Sequence, residues 1–262
     1  MLGVFYRNIP FRRIVFTLLF CVALIPGGVA RAAPDEIQVY ADDLNAPGEA
    51  ELEIHTNFVT KGRKTPDYPG ERPPHHVLRV TPELSFGLAE NWDMGFYLPL
   101  AYSPEGAFSV DGGKLRLKYL RNSETLFYGV NLEVGYSPRR AAESYWNSEL
   151  RTIFGIKRGD WLLAVNPVFG WDMSGGSSAT PDFDLAFKAM RETGGGMAFG
   201  VEHYAELGKA DHIHAGRESG QSTYAVMEYE GKGWELNLGV GHGWAEVADK
   251  TVVKAIFTVP FK

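Results

Sequence analysis

The chain has 262 residues, 45% of them hydrophobic and 13% aromatic, and a formal charge of −6 at neutral pH. That length holds one large all-β domain or two small ones, and the acidic balance argues against a nucleic-acid partner, whose phosphates call for clustered Lys and Arg. The only cysteine is Cys21, which excludes a disulfide framework and a cysteine metal site.

The first predicted element is an export signal. Arg7, Arg12 and Arg13 precede an apolar run over 14–25, Pro26-Gly27-Gly28 breaks it, and Ala30-Arg31-Ala32 provides a small-residue exit. This order describes a secretory signal over residues 1–32, cleaved near Ala32. Its apolar core is too short for a membrane helix, which needs about 20 residues. Loss of its four arginines takes the remaining chain from −6 to −10 and removes Cys21. Residues 33–49 are too long for a strand lead-in. They either hang in the periplasm, the preferred expectation, or enter the following domain (50–262) as a plug.

From Ala50 onward, apolar and polar residues alternate. Leu52, Ile54 and Phe58 oppose Glu51, Glu53 and His55; Leu78, Val80, Leu84 and Phe86 oppose Arg79, Thr81, Glu83 and Ser85. Trp92, Met94, Phe96, Leu98 and Leu100 oppose Asp93, Gly95 and Tyr97, and Leu115, Leu117 and Tyr119 oppose Lys114, Arg116 and Lys118. The pattern continues with Leu132 and Val134 against Asn131 and Glu133, Leu150 and Phe154 against Glu149 and Arg151, and Val165 and Phe169 against Ala164 and Asn166. Leu185 and Phe187 then oppose Asp184 and Lys188, Phe199 and Val201 oppose Glu202, Leu236 and Leu238 oppose Glu235, and Val253 and Phe257 oppose Lys254. In the weaker run 222–229, Ala225, Met227 and Tyr229 are assigned to the apolar face. Period-two alternation predicts β-strands. There are about twelve, most of them close to the ~9–11 residues of a tilted membrane strand and longer than the ~5–6 of a soluble one.

The connections alternate too. Short turns fall near 89–91, 121–124, 158–160, 191–195 and 230–233, and longer links at 60–75, 102–112, 138–145, 172–181, 208–221 and 245–250. Short turns on one side and long loops on the other describe a closed antiparallel up-and-down barrel in an outer membrane, apolar face to lipid and polar face to the lumen. Trp92, Trp161 and Trp234 stand just after short turns, and Trp171 and Trp244 at the opposite strand ends, as two interfacial girdles require. The predicted lumen lining is Glu51, Glu53, His55, Arg79, Glu83, Asp93, Lys114, Arg116, Lys118, Glu133, Glu149, Arg151, Asp184, Lys188, Glu202, Glu235 and Lys254.

Local motifs carry a family resemblance. Pro47-Gly48, His75-His76, Pro82-Glu83-Leu84 with Gly87-Leu88, Asn91-Trp92 with Gly95, and Leu98-Pro99-Leu100 resemble the proteobacterial outer-membrane family named for the MetA pathway of phenol degradation. The likeness covers about residues 46–120. It implies a barrel and export, and its name suggests passage of hydrophobic or aromatic compounds; it brings no catalytic residues.

The function expected is a passive channel or transporter for small molecules. Non-conducting and lipid-active barrels are the alternatives, the latter on the strength of His203 and His242 on the apolar face. Outer-membrane lipid, a small-molecule solute and the barrel-assembly machinery are the implied partners. No catalytic residue, cofactor or metal site is assigned; His75-His76 and His212 with His214 are read as loop polarity in preference to metal ligands.

Overall fold

The computed structural model describes residues 36–174, 180–213, 220–245 and 248–261. The export signal, residues 33–35 and His214 lie outside these. All regular structure among the described residues is β. The strands are β1 (Ala50–Lys61), β2 (Leu78–Ala89), β3 (Trp92–Tyr97), β4 (Leu100–Tyr102), β5 (Phe108–Val110), β6 (Gly113–Asn122), β7 (Leu126–Tyr136), β8 (Trp146–Arg158), β9 (Trp161–Asp172), β10 (Asp182–Gly194), β11 (Met197–Lys209), β12 (His212–Ile213), β13 (Gln221–Glu230), β14 (Glu235–Gly243) and β15 (Thr251–Phe261).

Two of the wall strands are broken. Leu98-Pro99 separates β3 from β4, and Asp111-Gly112 separates β5 from β6, so each pair forms one pass of the wall. Pro99 has no N–H to give a ladder; its carbonyl instead accepts from the Asp111 N–H at 2.7 Å, which holds the two breaks side by side. With β12 folded back on β11, the wall has twelve antiparallel passes, each paired with its chain neighbour, and β1 pairs β15 to close the ring. Closure removes the exposed strand edges that would otherwise template aggregation. The shortest connections are tight: Ala89 pairs Trp92 across Glu90-Asn91, with Asn91 at φ 68°, a left-handed conformation that Asn tolerates better than most residues.

Burial runs opposite to that of a soluble protein. Leu132 is 47% exposed and Val240 57%, whereas Glu83 is 1% and Glu202 0%. Most of the side chains assigned to lipid are exposed or half-buried, and most of the charged ones on the opposite face are buried. Ala225 is exposed while its neighbours Tyr224 and Val226 are buried, as the weak alternation of β13 suggested.

The lumen is less uniformly polar than expected. Leu120, Phe127 and Ile153 occupy inward positions and are fully buried, and Val39, Tyr40 and Ala41 of the N-terminal segment pack on them. A second apolar group joins Ile37 to Val59, Met190, Tyr224, Val226 and Val252. The N-terminal segment, for which periplasm and lumen were both open, therefore lies inside the wall over its first part, from Glu36 to Ala41, and is exposed from Ala46 to Glu49, where it meets β1.

Candidate functional site

The inward faces of β1, β2, β3 and β6 assemble one charge cluster. Alternation places Glu53 and His55 on the lumen face of β1, and the register sets Glu53 directly opposite Glu83 of β2. His55 Nε2 lies 3.1 Å from Glu53 Oε2 and 3.4 Å from Glu83 Oε2. The Arg116 guanidinium reaches Glu83 at 2.9 Å and Asp93 at 3.2 Å, and Lys118 reaches Asp93 at 3.4 Å. Further round the wall, Lys114 stands 3.6 Å from both Glu36 and Glu133, and Arg151 pairs with Glu149 at 2.9 Å.

A second cluster lies across the lumen. Lys188 pairs with Glu228 and stands 3.8 Å from Glu202; Lys254 also pairs with Glu202, whose other neighbour is the Tyr204 hydroxyl, donating at 2.6 Å. Of the remaining residues predicted for the lumen, Arg79 is buried, Glu51 and Asp184 are half-buried, and Glu235 is exposed at the periplasmic end of β14, at the rim and not on the inner wall.

Tyr40 sits between these groups. Its ring is approached by Arg151 at 4.5 Å, Lys118 at 5.6 Å and Arg116 at 5.8 Å. Its hydroxyl meets Tyr97 at 3.0 Å and donates to Glu133 at 3.1 Å. Asn166 clamps the Tyr40 backbone in both senses, accepting from its N–H at 2.7 Å and donating to its carbonyl at 3.0 Å. Arg151 donates to the Gln38 carbonyl and Lys254 to the Ile37 carbonyl, so cations of both clusters hold the segment. Lower down, Lys157 pairs with Asp42 at 2.7 Å, and Asn45 donates to Ser85 at 2.7 Å. Glu36, Tyr40, Tyr97 and Asn166 were absent from the sequence-derived lining. Alternation had put Tyr97 and Asn166 on the polar faces of their strands, whereas for Glu36 and Tyr40 the one sequence signal was an N-terminal stretch too long for a lead-in.

Above the wall, the loop before β2 is braced by Arg63, which donates to both Glu71 carboxylate oxygens at 2.9 and 2.7 Å. Partial desolvation of Glu71 is outweighed by these bonds, and its carboxyl titrates below the usual 4.5. On the outer surface, Trp92 packs at a tilt against Tyr119 and Trp234 against Tyr229 at the short-turn end, while Trp244 is 64% exposed at the other. Trp161 and Trp171 are half-buried at opposite ends of β9, and Trp146, not singled out from sequence, extends the outer ring beside Tyr136. His203 Nδ1 lies 2.9 Å from Thr223 Oγ1, to which Trp244 Nε1 also donates, and His242 packs edge-on to Trp244.

No family model matches the chain, and no curated protein matches it. Among solved structures it is similar to the COG4313 outer membrane channel from Pseudomonas putida F1, with a TM-score of 0.59 and 12% identity over 86% of this chain and all of that one. It is also similar to the NanC porin (TM-score 0.53, 10% identity, 80% of this chain and 99% of that one). The KdgM porin in complex with disordered oligogalacturonate is a third (TM-score 0.51, 10% identity, 81% and 99%). At such identities the likeness is one of architecture: this chain has the fold of the outer-membrane β-barrel channels.

Proposed function

We propose that the protein is a passive outer-membrane channel for small molecules, with residues 36–49 forming a plug inside its lumen. It is exported by its N-terminal signal and inserted into the outer membrane by the barrel-assembly machinery. The observation that carries the proposal is the pairing of an apolar outer wall with a lumen whose charged residues bind the chain's own N-terminal segment. Twelve strands lie between the ~8 that side chains alone fill and the ~16–18 that leave a wide aqueous channel. Such a lumen has room for one extended segment, and displacement of that segment opens a path.

The solute class suggested is small and partly apolar or aromatic. Leu120, Phe127, Ile153 and Tyr97 line the space around the segment, with Arg116 and Arg151 beside them to orient a polar group. The phenol-pathway motifs point the same way. His203 and His242 serve as interfacial residues, held by Thr223 and Trp244, and the protein is not an enzyme.

The test is single-channel recording in planar bilayers, comparing the processed protein with one lacking residues 33–45. The processed protein is expected to show small or intermittent steps and the truncated one larger, steady steps. A truncated barrel that is folded and still silent would overturn the channel reading and leave a structural barrel.

A further inference from the structure

We propose that Glu53, His55 and Glu83 form a binding site for a divalent transition-metal ion of the zinc type, on the inner wall where β1 meets β2. The inference is independent of the channel reading. One ligand atom from each residue lies within 4.8 Å of the others. The donors around an ion bound at ~2.0–2.2 Å in a tetrahedral site stand about 3.3–3.5 Å apart. Of the two N···O separations here, the 3.4 Å to Glu83 falls within that spacing and the 3.1 Å to Glu53 is slightly shorter.

Three further observations point to a cation. First, Glu53 and Glu83 are direct cross-strand partners, and like charges placed opposite each other in a sheet are destabilising unless something bridges them. Second, with His55 neutral the surrounding charge is unbalanced. Glu53, Glu83 and Asp93 stand in one cluster with Arg116 and Lys118, which leaves one carboxylate in excess while His55 is neutral. Third, His55 is 2% exposed, yet its Nδ1 has no hydrogen-bond partner among the described residues.

The surroundings suit ligands held ready. Arg116 grips Glu83 at 2.9 Å through the oxygen that does not face His55, the outer-shell arrangement that orients a ligating carboxylate. Gly95 makes room for that grip, since a Cβ there would stand 2.4 Å from Glu83 Oε1 and 2.9 Å from Arg116 Nε. One imidazole and two carboxylates suit zinc, manganese or ferrous iron better than calcium or copper(I). A metal there would bind β1 to β2 and leave at least one coordination position toward the lumen.

The test uses the full processed barrel, refolded in detergent, stripped with chelator and titrated with Zn²⁺ alone by calorimetry. Co²⁺ serves as a spectroscopic stand-in whose visible bands report coordination number. One ion per barrel is expected, with four- or five-coordinate cobalt bands. Affinity should fall on the order of tenfold or more in His55→Gln and in Glu83→Gln, and should be unchanged in His76→Gln, which removes a loop imidazole. Folding of each variant is checked by its resistance to unfolding in SDS without heating. Absence of stoichiometric uptake by the wild-type barrel overturns the proposal and leaves His55 as an imidazolium between two carboxylates. Uptake that folded His55→Gln or Glu83→Gln retains, or that His76→Gln loses, overturns it equally.

Discussion

Replacing Leu132 with arginine tests the orientation on which everything else rests. Leu132 is six residues from the short-turn end of β7 and four from its other end, Tyr136, and its side chain is 47% exposed on the outer face. At ~3.3 Å per residue and a tilt near ~40°, it stands about 15 Å above one girdle and about 10 Å below the other. That is close to the bilayer midplane, where arginine facing lipid costs about 2–4 kcal/mol. Leu126, on the same face at the strand's first residue, is 48% exposed and lies at the interface, where the cost falls to ~0–1 kcal/mol. Reversible denaturant unfolding in lipid vesicles, followed by tryptophan fluorescence, measures both. Leu132→Arg should lower stability by at least ~2 kcal/mol and Leu126→Arg by less than half as much. Equal costs, or a costless Leu132→Arg, would refute the assignment of this face to hydrocarbon.

Three further outcomes follow from the lumen and the loops. Lys254→Met should destabilise the barrel by about 3 kcal/mol in the same assay, because Glu202 is left buried; Lys188, 3.8 Å away, keeps the loss at the lower end. A loss under ~1 kcal/mol would show that Glu202 is neutral in the folded protein. The Glu71 carboxyl is depressed in the folded state, so its stabilisation is complete above its ordinary 4.5 and is lost as pH falls through the lower folded value. Protection of the loop before β2, measured as exchange relative to the intrinsic rate at each pH, should therefore fall below pH 4.5, and Glu71→Gln should show that lower protection already at pH 7; protection that does not change with pH would contradict the Arg63 brace. Finally, a Cβ at Gly87 would stand 2.0 Å from the Ala46 carbonyl oxygen, so Gly87→Ala should shift single-channel conductance toward that of the truncated protein. Wild-type steps in Gly87→Ala would show that the segment does not depend on this contact.

Much of the wall is legible in the sequence because its chemistry is local. Each strand meets lipid on one side along its whole length, so the apolar residues recur at every second position whatever the rest of the chain does. The Trp92, Trp161 and Trp234 ring is legible for the same reason, being tied to the turn beside each residue. The lumen is not local. Tyr40 meets Asn166 across 126 residues, and nothing near either residue records the encounter. Phe127 and Leu120 stand at polar positions in the alternation, and in isolation they read as noise. Their reason is the N-terminal segment, whose Val39 and Ala41 they cover. The Glu53, His55 and Glu83 grouping is intermediate: spacing puts the first two on one face, but only the β1–β2 register brings the third opposite them.

The motifs that suggested a family acquire a physical sense once the segment is placed. Pro47-Gly48 and Gly87 are 39 positions apart, yet the Gly48 N–H donates to the Gly87 carbonyl and the Gly87 N–H to the Glu49 carbonyl, both at 2.9 Å. Gly48 holds φ at 83°, which turns the chain from the lumen into β1, and the bare backbone of Gly87 lets Ala46 approach. The clasp fixes where the segment enters, whereas Asn166, Arg151 and Lys254 fix where its tip lies. These two attachments differ in kind. The clasp is backbone to backbone beside the wall ladder, while the tip rests on side-chain bonds from Asn166, Arg151 and Lys254 and on the apolar packing of Ile37 and Val39. If the segment moves during passage of a solute, its tip should therefore release first and swing about Gly48, with the clasp intact.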